Sequence, residues 1–334
     1  MEYLNSLPSD AIKININNCT YLTIPDLSRF TCLRKLNCSH NRLSRLDNLP
    51  HTLQELNCSW NQLTQLDNLP HSLLTLDCSH NRLTQLDNLP YLKKLYCSEN
   101  QLIQLDNLPS SLQVLFCSHN QITQLDNLPF SLQNLSCYNN QLTQLDNLPS
   151  TLQVLNCAEN QLTQLDNLPY FLHRLNCSEN QLIQLDNLPY FLHKLDCAEN
   201  QLTQLDKLPP FLQILYCSSN RLTQLDNLPS TLRELVCAEN QLTQLDNLPF
   251  SLNDLYCYEN KMKNGDNDLE YWKEQTKNKK LKLIKKKISA RKIQKIWRKY
   301  WYDFYKYELI DGKTIGFCRF IEKSYISLNG SLFL

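Results

Sequence analysis

Twelve cysteines recur along the chain from Cys38 to Cys257 at a step of 20 residues, interrupted once by a step of 19, and eleven aspartates keep the same step from Asp47 to Asp246. Thiolates repeated in this way could bind zinc or cycle as disulfides, and a column of carboxylates could hold calcium. Neither pattern has the local density that chemistry needs. No CxxC occurs and no Cys/His pair stands at ligand spacing, so neither zinc nor another metal or cofactor is expected. The aspartates sit singly in LDNLP segments, where Asp before Asn-Leu-Pro reads as turn chemistry, its side chain accepting from nearby backbone N–H groups and facing solvent. Phosphate cradles and nucleophile elbows are excluded before Gly265, because the chain has only 4 glycines (Gly265, Gly312, Gly316, Gly330) and both devices need them.

The elements that position these residues follow from the repeat. In 334 residues, twelve clear units of the form LxxLxCxxNxLxxLDNLPxx start at Leu33 and then every 20 residues to Leu252, with a one-residue deletion before Leu92. A degenerate thirteenth unit precedes them, with Ala11, Ile14, Ile16 and Cys19 where Leu33, Leu36, Cys38 and Asn41 stand in the next. In LxxLxC the alternation of Leu36 and Cys38 puts both on one face of a short strand, with Lys35 and Asn37 on the other. The cysteines are thus expected to be buried, reduced, methyl-sized core residues; stacked parallel side chains lack disulfide geometry. The repeated asparagine, Asn41 to Asn260, is expected to form a ladder satisfying backbone groups that the inward turn would orphan. A proline in so short a unit leaves no room for a returning helix.

This pattern resembles leucine-rich repeats. The LP-containing 20-residue form is similar to the repeats of enterobacterial effector proteins, and nine near-verbatim QLDNLP copies with Lys/Asn-rich flanks resemble leucine-rich-repeat proteins of giant viruses of the mimivirus type. The resemblance, over residues 11–262, implies a solenoid or horseshoe of parallel strands with a concave binding face; with about 13 units and the basic, partly helical tail that the charge pattern gives, the expected fold is β-rich (α+β overall). The expected organisation is a lead-in over 1–10, a solenoid over 11–262, and a C-terminal region over 263–334 with a helix at about 277–308 and a short β-prone end.

Only positions that vary between units can carry specificity. On the concave side, Tyr96, Val114 and Phe116 are expected to form one patch with Trp60 two to three strands away, and Ile214, Tyr216 and Val236 a second, with Tyr138 and Tyr256 as further exposed candidates on the same face. Such patches mark a protein partner. Residues 1–260 carry 14 Lys/Arg and 25 Asp/Glu, a net of −11, and Glu159, Glu179 and Glu199 form an acidic column, so a basic partner is favoured and nucleic acid on this face is not.

Residues 261–334 carry the opposite net charge, +11, from 19 Lys/Arg against 8 Asp/Glu. Within them Ile293, Gln294, Trp297 and Arg298 resemble the start of an IQ motif, which implies a calmodulin-like partner, although Lys299 and Asp303 depart from its second half. By periodicity alone, Ile293, Ile296, Trp297 and Trp301 make an apolar stripe on a basic helix. That helix could cap the solenoid, bind a calmodulin-like protein, or meet an anionic membrane or nucleic acid. The repeats offer only translated copies of the same side chains, so a non-enzymatic interaction scaffold is expected. The remote alternative, a ligase like the ubiquitin-ligase effectors that share this repeat, would need a Cys-x-Asp nucleophile, whereas Cys318 precedes Arg319 and Phe320. With no signal-like opening and no run of 18 apolar residues, the chain is read as cytoplasmic, neither secreted nor transmembrane.

Overall fold

The computed structural model describes residues 2–245, 248–262, 285–286 and 288–292. The chain divides into two units, residues 1–274 and 275–334. In the first, thirteen strands of three residues run from β1 (Lys13–Asn15) to β13 (Asp254–Tyr256) and form one sheet in strict sequence order. All neighbouring pairs are parallel and in matched register, so that Leu36 pairs with Leu56 and Leu56 with Leu76. The central residue of every strand, Ile14 in β1 and leucine in the other twelve, is buried while its neighbours face outward, as the LxxLxC alternation requires. Behind the sheet the chain returns without helix or strand among the described residues. One continuous core of stacked Leu and Cys rows fills the solenoid.

Side-chain ladders tie each turn to the last. Asn140 Nδ2 donates to the carbonyls of Cys137 and, one unit earlier, Cys117, both at 3.1 Å, while its Oδ1 accepts from the Ile122 amide at 3.0 Å. The same set recurs from Asn61 to Asn260. In the degenerate first unit, whose ladder position is Cys19, Asn41 Oδ1 takes both the Cys19 and Tyr21 amides. The cysteine row adds a weaker strut: Cys58 Sγ lies 3.3 Å from the Asp77 carbonyl of the next unit. Burial pushes these thiols up, to about 12 at Cys38 and Cys137, so the nucleophilic thiolate is suppressed. A third ladder precedes the first leucine of a unit, where a Ser or Thr hydroxyl such as Thr151 Oγ1 donates to the preceding unit's Leu132 carbonyl at 2.8 Å.

The turns differ in one respect from the sequence expectation. The LDNLP bend is made by the asparagine backbone, which is left-handed in unit after unit (φ 53° at Asn48, 55° at Asn147). Three of the aspartates have side-chain partners two residues earlier, Gln65 donating to Asp67 and Gln104 to Asp106 at 2.7 Å and Arg45 pairing with Asp47, rather than nearby backbone amides. After each proline, the unit's first leucine amide closes a turn onto the proline carbonyl (Leu53 to Pro50, 3.1 Å). The one-residue deletion is absorbed here: Leu92 donates to Pro90, only two residues back, at 2.7 Å, and the register of β5 (Lys94–Tyr96) is undisturbed.

At the start of the chain, α1 (Glu2–Ser6) covers the first turn, burying Leu4, and the Arg29 guanidinium donates to the Leu4 and Leu7 carbonyls. In the second unit, residues 285–286 and 288–292 are helical. The rest of the expected 277–308 helix, with Ile293, Gln294, Trp297, Arg298 and Trp301, lies outside the described residues, as does Cys318.

Replacing Asn140 with Ala removes donors from three carbonyls and the acceptor of the Ile122 amide, so a loss of about 1–3 kcal/mol is expected. Hydrogen exchange at Ile122 and over residues 130–150 checks it; unchanged protection would contradict the ladder. Alkylation of the native chain, read by peptide mass spectrometry, should label the exposed Cys19 and Cys32 and spare the twelve buried cysteines until denaturation.

Candidate functional site

The strand face presents its side chains in columns, one residue per turn and about 4.8 Å apart. The column through the third strand residue carries Tyr96, Phe116, Tyr216, Val236 and Tyr256, since the register pairs Tyr96 with Phe116 and Tyr216 with Val236. Val114 and Ile214 belong to the column of first strand residues, beside Lys94 and Glu234. A further column is formed by the residue before each ladder asparagine. These residues are left-handed without being glycine, from His40 (φ 52°) and Trp60 (55°) through Glu159 (48°) and Glu179 (51°) to Glu259 (53°). A side chain there is turned to one edge of the face, at a local conformational cost of about 1–2 kcal/mol.

The predicted residues group as follows. Tyr96 and Phe116 meet edge to face at 5.3 Å, with Phe116 38% exposed. Trp60 stands in the left-handed column, and its ring partners are His40 and His80, stacked at 5.2 and 3.7 Å, rather than the Tyr96 patch. Tyr138 packs its ring edge-on to His119 at 4.8 Å and donates its hydroxyl to Glu159 Oε1 at 2.7 Å. In the second patch, Tyr216 sits under the Lys194 ammonium (4.7 Å) and donates to Glu234 at 2.9 Å, beside Val236.

Charge is unevenly compensated along the left-handed column. The Tyr138 hydroxyl and then the Asn139 amide hold the Glu159 carboxyl below its ordinary range. Glu179, one turn on, is pushed up by desolvation and by the like charges of Glu159 and Glu199, and Asp196 on the adjacent strand is also raised, chiefly by desolvation and opposed by the Ala198 amide and then by Lys194. Among the described residues, no Lys or Arg is ion-paired with Glu159, Glu179 or Glu199. No group of three or more His, Cys, Asp or Glu is arranged to hold a metal ion among the described residues. The site therefore has a cation deficit bordered by rings: Tyr138 and the Tyr96–Phe116 pair on one side, Tyr216 on the other.

One feature outside the predicted set is a cluster at the sheet's entry edge, where Tyr170, Phe171, Tyr190, Phe191 and Phe211 pack on one another at 5.1–6.1 Å. Its sequence signal is the replacement of the Ser/Thr before a unit's first leucine by Phe in three consecutive units.

No protein-family model matches the chain, and no curated protein sequence does. Solved structures do. YopM from Yersinia enterocolitica is 35% identical with a TM-score of 0.74, over 77% of this chain and 57% of that one. YopM from Yersinia pestis, a leucine-rich effector protein, is 30% identical with a TM-score of 0.66 and is covered over 78% of its length by 76% of this chain. The functional domain of InlJ from Listeria monocytogenes, which includes a cysteine ladder, is 30% identical with a TM-score of 0.67, over 76% of this chain and 64% of that one. The chain thus spans little more than half of the first of these.

Tyr138→Phe should let the Glu159 carboxyl rise toward the ordinary carboxylate range, because the hydroxyl is the largest cause of its depression. NMR titration of the Glu159 side chain reads this directly, and an unmoved Glu159 would contradict the pairing.

Proposed function

The chain belongs to the leucine-rich-repeat proteins, and we propose that it is a non-enzymatic protein-interaction scaffold whose strand face takes a basic, partly apolar protein segment. The observation that carries this reading is the column Glu159, Glu179, Glu199, which has no Lys or Arg ion pair among the described residues and in which Glu179 is raised partly by its own neighbours. Like charges held within one edge of a face favour whatever cation relieves them. The rings of Phe116 and Tyr138 lie on successive turns beside this column and supply the apolar contact that makes an anchor. A scaffold reading also accords with the repeats, which supply copies of one side-chain set rather than a nucleophile and its base. The cytoplasm, with its basic and abundant partners and its reducing poise, is the compartment this reading assigns.

The pH dependence has a definite sign. In the free protein Glu179 binds its proton more readily than an ordinary glutamate; a docked cation favours the charged form and brings it down, so binding releases a proton. Affinity should therefore fall as pH is lowered through the raised Glu179 range and hold above it. Proteins captured from cytosol by the full chain should be lost from the double variant Phe116→Ala, Glu179→Lys, and the affinity of an identified partner should drop roughly 10- to 100-fold. Equal capture by both proteins would overturn the strand-face reading.

The IQ-like tail supports a separate adaptor reading. Its measure is a blue shift of Trp297 fluorescence on adding a calmodulin-like protein, abolished by Ile293→Glu with Gln294→Ala; no shift removes it.

A further inference from the structure

The aromatic cluster at the entry edge is not part of the strand-face proposal, and its construction is unusual within the repeat. In seven units the residue before the first leucine is a Ser or Thr whose hydroxyl donates to a leucine carbonyl of the preceding unit. At Phe171, Phe191 and Phe211 three successive units give up that bond for a ring. The three rings stack nearly parallel at 6.1 Å, with Tyr170 and Tyr190 edge-on to them. They remain in solvent: Tyr170, Phe171, Tyr190 and Phe211 are 58%, 54%, 49% and 41% exposed. That is on the order of 400 Å² of contiguous ring surface, large enough to mark an interaction site.

The flanks of the stripe say what fits it. The chain crosses this edge in the order Asp166, Tyr170, Phe171, His173, Arg174, and one turn on in the order Asp186, Tyr190, Phe191, His193, Lys194. Acidic side chains therefore border the rings on the side of the returning loops, and basic ones on the side of the strands. Asp166 and Arg174 are both exposed, and neither has an ion-pair partner among the described residues. A two-fold axis lying in the contact plane and parallel to the solenoid axis reverses one copy left to right while keeping each turn at its own level. The loop side of one copy then faces the strand side of the other, so that Asp166 meets Arg174 twice while ring stacks on ring. We propose that this edge is an isologous homodimer interface, with a second copy of this chain as its occupant. The rings would form the centre of the roughly 800 Å² per partner that a standard interface needs, and the charged flanks its rim.

The test uses the purified full chain and sedimentation equilibrium. The mass is expected to rise with concentration, between about 1 and 100 µM, toward twice the 39.3 kDa of one chain. The quadruple variant Tyr170→Ser, Phe171→Thr, Tyr190→Ser, Phe191→Thr installs the pair that Ser150–Thr151 and Ser230–Thr231 already use at the equivalent position. It should therefore keep the fold and remain at the mass of one chain. Arg174→Glu and Asp166→Lys should each weaken self-association about 10-fold or more, and an equimolar mixture of the two should form a heterodimer in preference to either homodimer, because both of its rim contacts are then opposite in charge. A wild type that stays monomeric throughout the range, a dimer that survives removal of the rings, or single variants whose mixture shows no preference would each overturn the proposal. The charge-exchange arm decides even if the ring variant folds poorly.

Discussion

Everything in this solenoid depends on how repeats with no helix on their returning side among the described residues, and no glycine, satisfy the backbone of a tight inward turn. The answer is one asparagine per unit. Its amide reaches two carbonyls in its own unit and one in the unit before, and its carbonyl oxygen takes an amide from that earlier unit. Because each set spans two turns, no unit is satisfied alone, and the stability of any turn is conditional on its neighbour. The cysteine and hydroxyl ladders repeat that logic more weakly on either side. α1 and Arg29 close the first turn, where the ladder residue is missing and Asn41 serves two amides.

The same turn also shapes one edge of the strand face. To bring the asparagine inward, the residue before it must be left-handed, and in this chain that residue is His, Trp, Glu, Asn or Ser rather than glycine. The conformational cost is accepted at twelve positions, and each puts a side chain larger than glycine's into one column along the edge of the strand face. The column is chemically divided: imidazole and indole dominate its start, interrupted by Glu99, and carboxylates dominate from Glu159 onward, interrupted by Ser219. Within each 20-residue unit the LDNLP loop is nearly unvaried while the strand face is nearly free to vary. The entry edge is a third zone, where the hydroxyl ladder is replaced by rings over three turns.

Much of this was determined by the sequence alone. The 20-residue period, the inward alternation of Leu and Cys, the asparagine ladder and the absence of a returning helix all follow from local geometry that is the same in every unit, so reading one unit reads twelve. The burial of the cysteines follows likewise, because a position that points inward in a strand does so wherever the strand is copied. What only the tertiary structure decided are relations between units. That Trp60 stacks with His40 and His80 instead of joining Tyr96, that Tyr138 holds Glu159, and that Lys194 covers Tyr216 depend on which columns face one another and how far apart successive turns lie. That the LDNLP bend is made by a left-handed asparagine, with Asp67 and Asp106 taking glutamine partners, is a choice of backbone that residue types alone leave open. The ring cluster at Phe171, Phe191 and Phe211 was likewise invisible as a surface: each substitution looks like a local exchange of Ser or Thr for Phe, and only stacking three turns in register makes them one patch.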